Sequence, residues 1–520
     1  MKLFKNGYWP KFLMLLLIFL QLVGLGVLSY YFFNNSLARE HFYSLAIAVW
    51  AITAAFEIFI VLSRSETSYR IAWMLLVALL PVLGALYYLL FANKRTTIRQ
   101  RKRMKRYETA LPPFPSDPQT KEGVAAFSRP AAAISQYLES NAGAAVYEDT
   151  AVEYFPLGDQ VFPVILRELR KARHFILFEF FIIAPGLMWD AVHSILVEKA
   201  QEGVEVKLVY DDLGNLGNTP VDFAKKLNEE GIKTYVFSPI KPFLNVKMNN
   251  RDHRKIIVID GHTGFTGGIN IADEYINRKA RFGHWKDNCI MLRGRAVSGF
   301  SRLFLQNWVA NFEKGWQPDF SMYESGKYID EIGGYPKSDG FLQPYGDVPF
   351  DYESVGERVY LSILGRALRY VYISTPYLIL DSELINAITL AKAEGVDVRL
   401  LVPGIPDKRR IFQLTRANYG PLLAAGVRIY EYTPGFVHQK MFVCDDEVAT
   451  DGTINLDYRS LYLHLECGTL LVGSRAIDNM KSDFLATLET SHEVSLEEWK
   501  GWHAKKAFEW ALLRLLAPLL

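Results

Sequence analysis

Two short motifs of the same pattern carry the residues best suited to chemistry in this sequence. Each motif has a histidine, a lysine two residues later, an aspartate five residues after the lysine, and an asparagine beyond a glycine turn. In chain order these residues are His253, Lys255, Asp260 and Asn270, and then His438, Lys440, Asp445 and Asn455. In an extended segment, a histidine and a lysine two positions apart project from the same face. The repetition predicts that the two motifs are halves of one site.

The chemistry of this residue set favours an anionic ligand. Two imidazoles, two ammonium groups and two amides, with few carboxylates, match a phosphoryl group best. A divalent metal is disfavoured, because the lysine in each motif would repel it and because the chain has no HExxH motif or carboxylate cluster. The sequence therefore predicts a reaction with no metal and no cofactor. Lys255, Lys440, Asn270 and Asn455 would then stabilise the charge of the transition state.

The two histidines suit a two-step displacement. One can attack phosphorus and hold it covalently, while the other protonates the leaving alkoxide and then deprotonates the incoming alcohol or water. This requires one neutral and one protonated imidazole, which two neighbouring histidines in a cationic site can provide. Each also needs a carboxylate on its other nitrogen to fix the tautomer. Asp287 and Glu466 follow the two motifs at matching places and are predicted to do this, the alternative being charges on a surface strand.

Alternating strands and helices surround the motifs and occur twice. In residues 123–333, predicted strands at 174–183 and 204–210 alternate with helices, and the same order recurs in residues 334–495. The segments QEGVEVKLVY and AEGVDVRLLV match almost residue for residue. A unit of this length is too long for a solenoid repeat. We therefore expect two similar α/β domains that face each other across a pseudo-twofold axis, with the site between them.

A membrane region is predicted for residues 1–92, with apolar segments at 12–33, 44–62 and 71–91. The first is too long for a signal peptide and has no cleavage site after it. Charges around the first two segments favour a cytoplasmic N-terminus, yet the basic run at 94–106 also belongs inside. The N-terminus and the basic run can both be cytoplasmic if segment 71–91, which contains Pro81 and Gly84, is re-entrant or tilted. An external N-terminus is the alternative.

The remaining segments connect and flank the domains. Residues 93–122 are predicted to be a basic and proline-rich linker, and 496–520 an amphipathic helix that packs on the catalytic domains or lies on the membrane. The basic run lacks interleaved aromatic residues, which argues against nucleic-acid binding. Charge is nearly balanced, with 58 Lys and Arg against 56 Asp and Glu. The three scattered cysteines form no CxxC pair and are typical of a reducing compartment.

The paired motifs in a duplicated α/β chain resemble the phospholipase D superfamily. The segments HRKIIVIDG, FTGGINIADEY, HWKD, TPYLI, GVRIYEYTPGFVHQK and GTINLDYRS, with the apolar stretch that ends in ANKR, resemble bacterial cardiolipin synthases more narrowly. The resemblance covers the chain from about residue 44 onwards. It implies duplicated phospholipase D-like domains, which form a pseudo-twofold catalytic body after N-terminal transmembrane helices. It also implies a multi-pass protein of the bacterial cell membrane with cytoplasmic catalytic domains.

The resemblance further implies a phosphatidyltransferase that converts two phosphatidylglycerols into cardiolipin and glycerol through a phosphatidyl-histidine. His253, Lys255, His438 and Lys440 would act on the lipid phosphate, and Asp260 and Asp445 would be supports. The chain departs from the family pattern at His464, where an asparagine is usual, and at Leu465, where a phenylalanine is usual.

Several alternatives remain open at this stage. Hydrolysis of a phospholipid or nucleic acid could use the same residues, a different alcohol such as phosphatidylethanolamine or a free polyol could be the acceptor, or the chain could be a non-enzymatic membrane scaffold. His253 is favoured as the nucleophile because its surroundings match the family pattern without exception.

Overall fold

A computed structural model describes residues 36–63, 66–91, 115–240, 250–312, 318–351 and 353–519, together with a few isolated positions. The chain divides into two compact units. The first contains the N-terminal region, residues 240–248 and the last residues of the chain, and the second contains the rest. The apolar segment 12–33, apart from three isolated positions, and the basic run at 94–106 lie outside the described residues.

The described N-terminal region forms three helices, α1 (Ser36–Val61), α2 (Thr67–Leu79) and α3 (Pro81–Phe91). Within α1, Tyr43–Val61 is the one stretch among the described residues that is long and apolar enough to cross a membrane. Helices α2 and α3 occupy the predicted segment 71–91, and each is shorter than the roughly 20 residues that a span needs. Segment 71–91 is therefore not one continuous spanning helix.

Proline and glycine account for this break. Pro81 is the first residue of α3, where its missing N–H and fixed φ are tolerated, and α2 ends just before it. Gly84 then passes so close to α2 that an added Cβ would lie 2.6 Å from the Leu76 carbonyl oxygen. The two short helices consequently pack against each other, and Trp73, Val77 and Tyr87 share a small core with Ile60 of α1.

The described part of the second unit contains two large sheets with the same strand order and a two-stranded sheet, β13-β7. The first sheet is β1-β8-β6-β5-β2-β3-β4 and the second is β17-β12-β11-β10-β14-β15-β16-β9. Reading outward from β2 and from β10, each sheet has two further parallel strands on one side and an antiparallel meander on the other. Strand β17 is an extra edge strand of the second sheet. This shared topology confirms the predicted duplicated α/β fold.

In chain order, the strands occupy the following residues. In the first repeat they are β1 (Thr150–Phe155), β2 (Phe175–Phe180), β3 (Glu205–Asp211), β4 (Lys233–Phe237), β5 (Ile256–Ile259), β6 (Thr263–Gly267), β7 (His284–Lys286) and β8 (Cys289–Gly294). In the second they are β9 (Phe341–Asp347), β10 (Tyr370–Ser374), β11 (Asp397–Pro403), β12 (Arg428–Tyr432), β13 (Gly435–Val437), β14 (Met441–Cys444), β15 (Val448–Gly452), β16 (Glu466–Val472) and β17 (Ser491–Val494).

Helices cover the sheets on both faces. They are α4 (Pro118–Phe127), α5 (Arg129–Ala142), α6 (Gly158–Arg170), α7 (Leu187–Gln201), α8 (Phe223–Glu229), α9 (Val297–Asn311), α10 (Val355–Leu364), α11 (Ser382–Ala393), α12 (Arg409–Ala417), α13 (Tyr419–Ala424), α14 (Tyr458–Tyr462), α15 (Ala476–Leu488) and α16 (Leu496–Leu516). A central core joins both sheets with α9 and α15, and each sheet has a second core against its outer helices. The sheets therefore bury both faces, which explains the nearly continuous apolar runs of their strands.

The structure gives detail on two predicted segments. The linker 93–122 ends earlier than expected, because Asp117 caps a helix that begins at Pro118. The C-terminal helix packs on the second unit, which is one of its two predicted placements, since Trp499 Nε1 donates to the Arg416 carbonyl and Trp510 Nε1 donates to Gln413. Phe508, on the same helix, is 85% exposed.

The motif aspartates follow β5 and β14 and hold the starts of the neighbouring strands β2 and β10. Asp260 follows β5 with a φ of 49° and accepts N–H hydrogen bonds from residues 173, 174 and 175, where β2 begins. Asp445 follows β14 with a φ of 55° and accepts from residues 368, 369 and 370 in the same way. Both carboxylates replace the strand partners that these backbone groups lack.

We expect Asp260→Asn to destabilise the protein without disturbing the site directly. Asparagine tolerates the left-handed backbone but loses the Oδ2 acceptor for the N–H of Arg173, which costs about 1–3 kcal/mol of unfolding free energy. The measurement is the midpoint of thermal unfolding of the purified protein in detergent. The exposed Asp330→Asn is the matched control, and equal midpoints for the two variants would contradict this role.

Candidate active site

The two histidine–lysine pairs lie at corresponding places in the two sheets. His253 and Lys255 immediately precede β5, whose first residue pairs with Glu179 near the end of β2. His438 and Lys440 precede β14, whose first residue pairs with the last residue of β10. Both pairs are thus at the carboxyl ends of the parallel strands, the usual location of sites in α/β proteins. All four side chains are buried.

Backbone hydrogen bonds tie each histidine to the opposite repeat. The His253 N–H donates to the Leu465 carbonyl at 2.9 Å, and the Leu465 N–H donates to the Arg251 carbonyl. The His438 N–H donates to the Lys286 carbonyl at 2.7 Å. Strands β13 and β7, one from each repeat, also pair in parallel just before His438. These contacts bring the two motifs together as one site.

The side chains are paired across the repeats as well. His253 Nδ1 lies 3.0 Å from both carboxylate oxygens of Glu466, which belongs to the second repeat. His438 Nδ1 lies 2.6 Å from Asp287 Oδ2, which belongs to the first repeat. Both carboxylates are fully buried. An ionised carboxylate only accepts, so each histidine carries its proton on Nδ1 and keeps the Nε2 lone pair for a ligand.

Different neighbours hold the two carboxylates. Glu466 accepts hydrogen bonds from Thr453 and Ser460, each at 2.5 Å. Asp287 packs against Gly268, where an added Cβ would be only 1.9 Å from its Oδ1. Gly268 and Thr453 occupy the same motif position, so the glycine in one copy makes room and the threonine in the other donates a hydrogen bond. The sequence predicted a glycine turn before each asparagine, but not which carboxylate would approach Gly268 or accept from Thr453.

Burial governs the protonation of the histidines. Burial lowers the pKa of His253 to about 3, although Glu466 opposes this shift. Burial and then the Lys440 charge lower the pKa of His438 to about 4. Both imidazoles are therefore neutral at pH 7 in the free protein. The predicted combination of one neutral and one protonated histidine requires an anionic ligand, since a nearby negative charge favours the protonated form.

The lysines supply positive charge that both halves share. Burial lowers the pKa of Lys255 to about 8 and that of Lys440 to about 7, with Glu466 and Asp287 opposing these shifts. Lys255 Nζ donates to the His253 carbonyl at 2.6 Å, and Lys440 Nζ donates to the His438 carbonyl. Lys255 also contributes to lowering the pKa of His438, which places its charge close to the other half of the site.

The two asparagines differ from each other. Asn270 accepts from the N–H of Ile182 and donates to the Tyr275 hydroxyl at 2.7 Å, so most of its amide is engaged within the protein. Asn455 Oδ1 is buried and has no hydrogen-bond partner among the residues that the structure describes. The two asparagines were predicted to bind phosphate in the same way. In the structure, the amide of Asn270 holds other parts of the protein, whereas Asn455 has an unpaired oxygen.

A buried network beside His438 was not predicted from the sequence. Lys286 Nζ lies 2.5 Å from Asp483 Oδ1, and Tyr154 and Gln439 both donate to the other oxygen of Asp483. These residues fix the segments on either side of His438. Their spacing in the chain gives no signal, because they come from four separate elements. Aromatic rings of Tyr275, Trp285 and Phe436 also lie 5.5 to 5.8 Å from the His438 ring.

One group of side chains could hold a metal ion. The ligand atoms of His253, His464 and Glu466 all lie within 4.8 Å of one another. Both ring nitrogens of His464 are buried and lack a hydrogen-bond partner in the described part of the chain. The motif aspartates Asp260 and Asp445 are not in this site, because they are at the opposite ends of β5 and β14.

We predict that both catalytic-motif histidines are neutral Nδ1–H tautomers above about pH 5, more than one unit above their pKa values. Nitrogen NMR of protein labelled with ¹⁵N-histidine measures this directly. His253→Asn and His438→Asn assign the two signals. An imidazolium signal from either residue at pH 7, or a proton on Nε2, would show that the carboxylate pairing is wrong.

Comparisons with known proteins agree with this architecture. The model of the cardiolipin synthase PLD-like domain matches residues 165–308 and 360–488, one copy in each repeat and just over half of the chain. The model of the phospholipase D-nuclease N-terminal region matches residues 48–93. Both motifs, with their histidines and lysines, lie inside the matched segments.

Relatives match over most of the chain. An uncharacterized protein of Streptococcus mutans is 43% identical over 89% of this chain and 99% of its own length. A cardiolipin synthase of Halalkalibacterium halodurans is 31% identical over 90% of this chain and 92% of its own length. The crystal structure of phosphatidylserine synthase from Haemophilus influenzae has a similar fold, with a TM-score of 0.53, 15% identity and coverage of 71% of this chain and 95% of that one. The chain belongs to the cardiolipin synthase family, phospholipid phosphatidyltransferases of the phospholipase D superfamily.

Proposed function

We propose that the protein joins two phosphatidylglycerol molecules into cardiolipin and releases glycerol. The observation that carries this proposal is the crossed pairing of the site: each repeat supplies a histidine, and the other repeat supplies the carboxylate that orients it. Two oriented Nε2 lone pairs beside two lysines suit a double displacement at phosphorus. Family membership and the membrane-length stretch of α1 support a phospholipid as the substrate.

In the first step, His253 Nε2 attacks the phosphorus of the donor. The P–N bond forms as the bond from phosphorus to the glycerol oxygen breaks, and His438 gives its Nε2 proton to that oxygen. Glycerol leaves, and the phosphatidyl group remains on His253. In the second step, the terminal hydroxyl of another phosphatidylglycerol gives its proton to His438 and attacks phosphorus. The P–N bond breaks, and the net products are one cardiolipin and one glycerol.

The assignment of roles follows from the protonation of the two histidines. We assign to His438, whose Nδ1 lies 2.6 Å from Asp287, the proton that is taken up when the anionic phosphodiester enters, because nearby negative charge favours an imidazolium. His253 then keeps its Nε2 lone pair and is the nucleophile. Lys255 and Lys440 stabilise the additional negative charge on the phosphoryl oxygens in the transition state.

A basic surface beside His438 supports an anionic lipid as the substrate. It consists of two segments, 277–283 and 404–410, which meet where Ile405 packs against Gly283. Asn277 fixes the first segment through two hydrogen bonds with the backbone of Trp285, whose ring lies 5.7 Å from that of His438. The exposed cations of this surface are Arg278, Lys279, Arg281, Lys408, Arg409 and Arg410. Such a cluster attracts anionic headgroups.

The proposed reaction is tested by incubating the purified full-length protein with phosphatidylglycerol vesicles. We expect cardiolipin and glycerol in equal amounts. His253→Ala and His438→Ala should each lower the rate by at least about a thousandfold, as removal of a nucleophile or its acid–base partner does in related chemistry. His193→Ala, a partly exposed histidine on α7, is the matched control. Phosphatidic acid without cardiolipin would instead identify a hydrolase.

The pH profile tests the role of the lysines. We expect kcat/KM to fall above about pH 7, because Lys440, with a pKa of about 7, loses its charge before Lys255, with a pKa of about 8. Lys440→Arg keeps its positive charge at every accessible pH. In this variant the pH at which kcat/KM falls should rise by roughly one unit, because Lys255 then determines it. Exposed Lys500→Arg is the control. An alkaline limb that does not move would rule out Lys440 as its origin.

A further inference from the structure

His464 brings a third imidazole next to the catalytic pair. It lies two residues before Glu466, and its ring centroid is 5.7 Å from that of His253. Its Nδ1 is 3.7 Å from Glu466 Oε1, too far for a hydrogen bond, and its Nε2 also has no hydrogen-bond partner in the described chain. The side chain is 13% exposed, but both ring nitrogens are buried without a hydrogen bond, and burial of a polar atom that makes no hydrogen bond is costly.

The three groups lie close enough together to surround one zinc-type cation. Glu466 oxygens lie 3.0 Å from His253 Nδ1 and 3.7 Å from His464 Nδ1, and all three ligand atoms are within 4.8 Å of one another. Tetrahedral zinc with bonds of about 2.0–2.1 Å places its ligands about 3.3–3.4 Å apart. We propose that His253, His464 and Glu466 bind one Zn²⁺ or a similar borderline divalent cation, and that this binding inhibits the enzyme.

The inhibition follows from the tautomer of His253. In the metal-free site, Nδ1 carries the proton and Nε2 has the lone pair. For a cation to bind Nδ1, the proton must move from Nδ1 to Nε2. The ring then keeps one proton, the Nδ1 electron pair binds the cation, and Nε2 has no lone pair with which to attack phosphorus. Glu466 is a ligand of the same cation. This part of the inference rests on the proposed function, whereas cation binding itself does not.

Neighbouring charges make this a site of inhibition and not one for a permanently bound cofactor. Lys255 donates to the His253 carbonyl and therefore keeps its ammonium close to the cation site. The ligands supply only one negative charge, from Glu466. An asparagine at position 464 would remove one imidazole from the set. We therefore expect inhibition of the enzyme by the cation to depend on His464.

Binding is tested with the full-length protein in detergent after treatment with EDTA and exchange into metal-free buffer. Co²⁺ replaces Zn²⁺ as a spectroscopic probe, because tetrahedral Co²⁺ absorbs strongly in the visible range. We expect one Co²⁺ per chain with tetrahedral bands that Zn²⁺ abolishes. His464→Asn and His464→Gln should lose these bands, while His193→Asn should keep them. Failure of the wild-type protein to bind Co²⁺ or Zn²⁺, or unchanged bands in both His464 variants, would overturn the inference.

Activity provides the second measurement. Zn²⁺ should inhibit the wild-type protein and His193→Asn at equal concentrations, and EDTA should restore the activity. For His464→Asn, relative to its own activity in EDTA, the half-inhibiting Zn²⁺ concentration should rise by at least about tenfold, as loss of a metal contact requires. If Zn²⁺ inhibited all three proteins at the same concentration, the inhibitory site would lie elsewhere, and the inference would be overturned. The Co²⁺ spectra do not depend on catalysis, so failure of the proposed reaction would leave that measurement intact.

Discussion

The exchange of carboxylates between the repeats is the interaction on which the rest of the site depends. A carboxylate buried without compensation would be protonated, because ionised groups are poorly solvated in the protein interior. Glu466 stays ionised because His253 and then His464 lower its pKa despite burial. Thr453 and Ser460 also donate hydrogen bonds to this carboxylate. Neither histidine can acquire its tautomer from its own repeat. A single repeat is therefore not an active site.

Much of the surrounding architecture serves this exchange. The β13–β7 pair and the hydrogen bond from His253 to Leu465 hold backbone from one repeat against the other. Gly268 lets Asp287 approach, and Asp483 fixes Lys286 and Gln439 on either side of His438. At the far ends of the strands, Asp260 and Asp445 anchor the starts of β2 and β10. The motif thus combines a catalytic end and a structural end on one short strand.

The sequence predicted the components of this site better than their connections. Spacing and repetition identified the histidines, the lysines and both carboxylates, since these follow from local patterns. Which carboxylate faces which histidine depends on how two distant segments pair, and no local pattern encodes that. For the same reason, the hydrogen-bond network around Asp483 was not predicted. Asn270 was expected to face a phosphate, but its amide holds Ile182 and Tyr275, a competition that only the fold reveals.

The most direct test of the central claim is to find the phosphorus on the protein. The full-length protein is mixed with phosphatidylglycerol labelled with ³²P in the phosphate, quenched in alkali within a turnover, and digested for peptide mapping. We expect an alkali-stable, acid-labile label on His253 that is absent from His253→Ala and appears in cardiolipin when unlabelled phosphatidylglycerol follows. Cardiolipin formed with no label on either histidine, or a label on another residue, would contradict it.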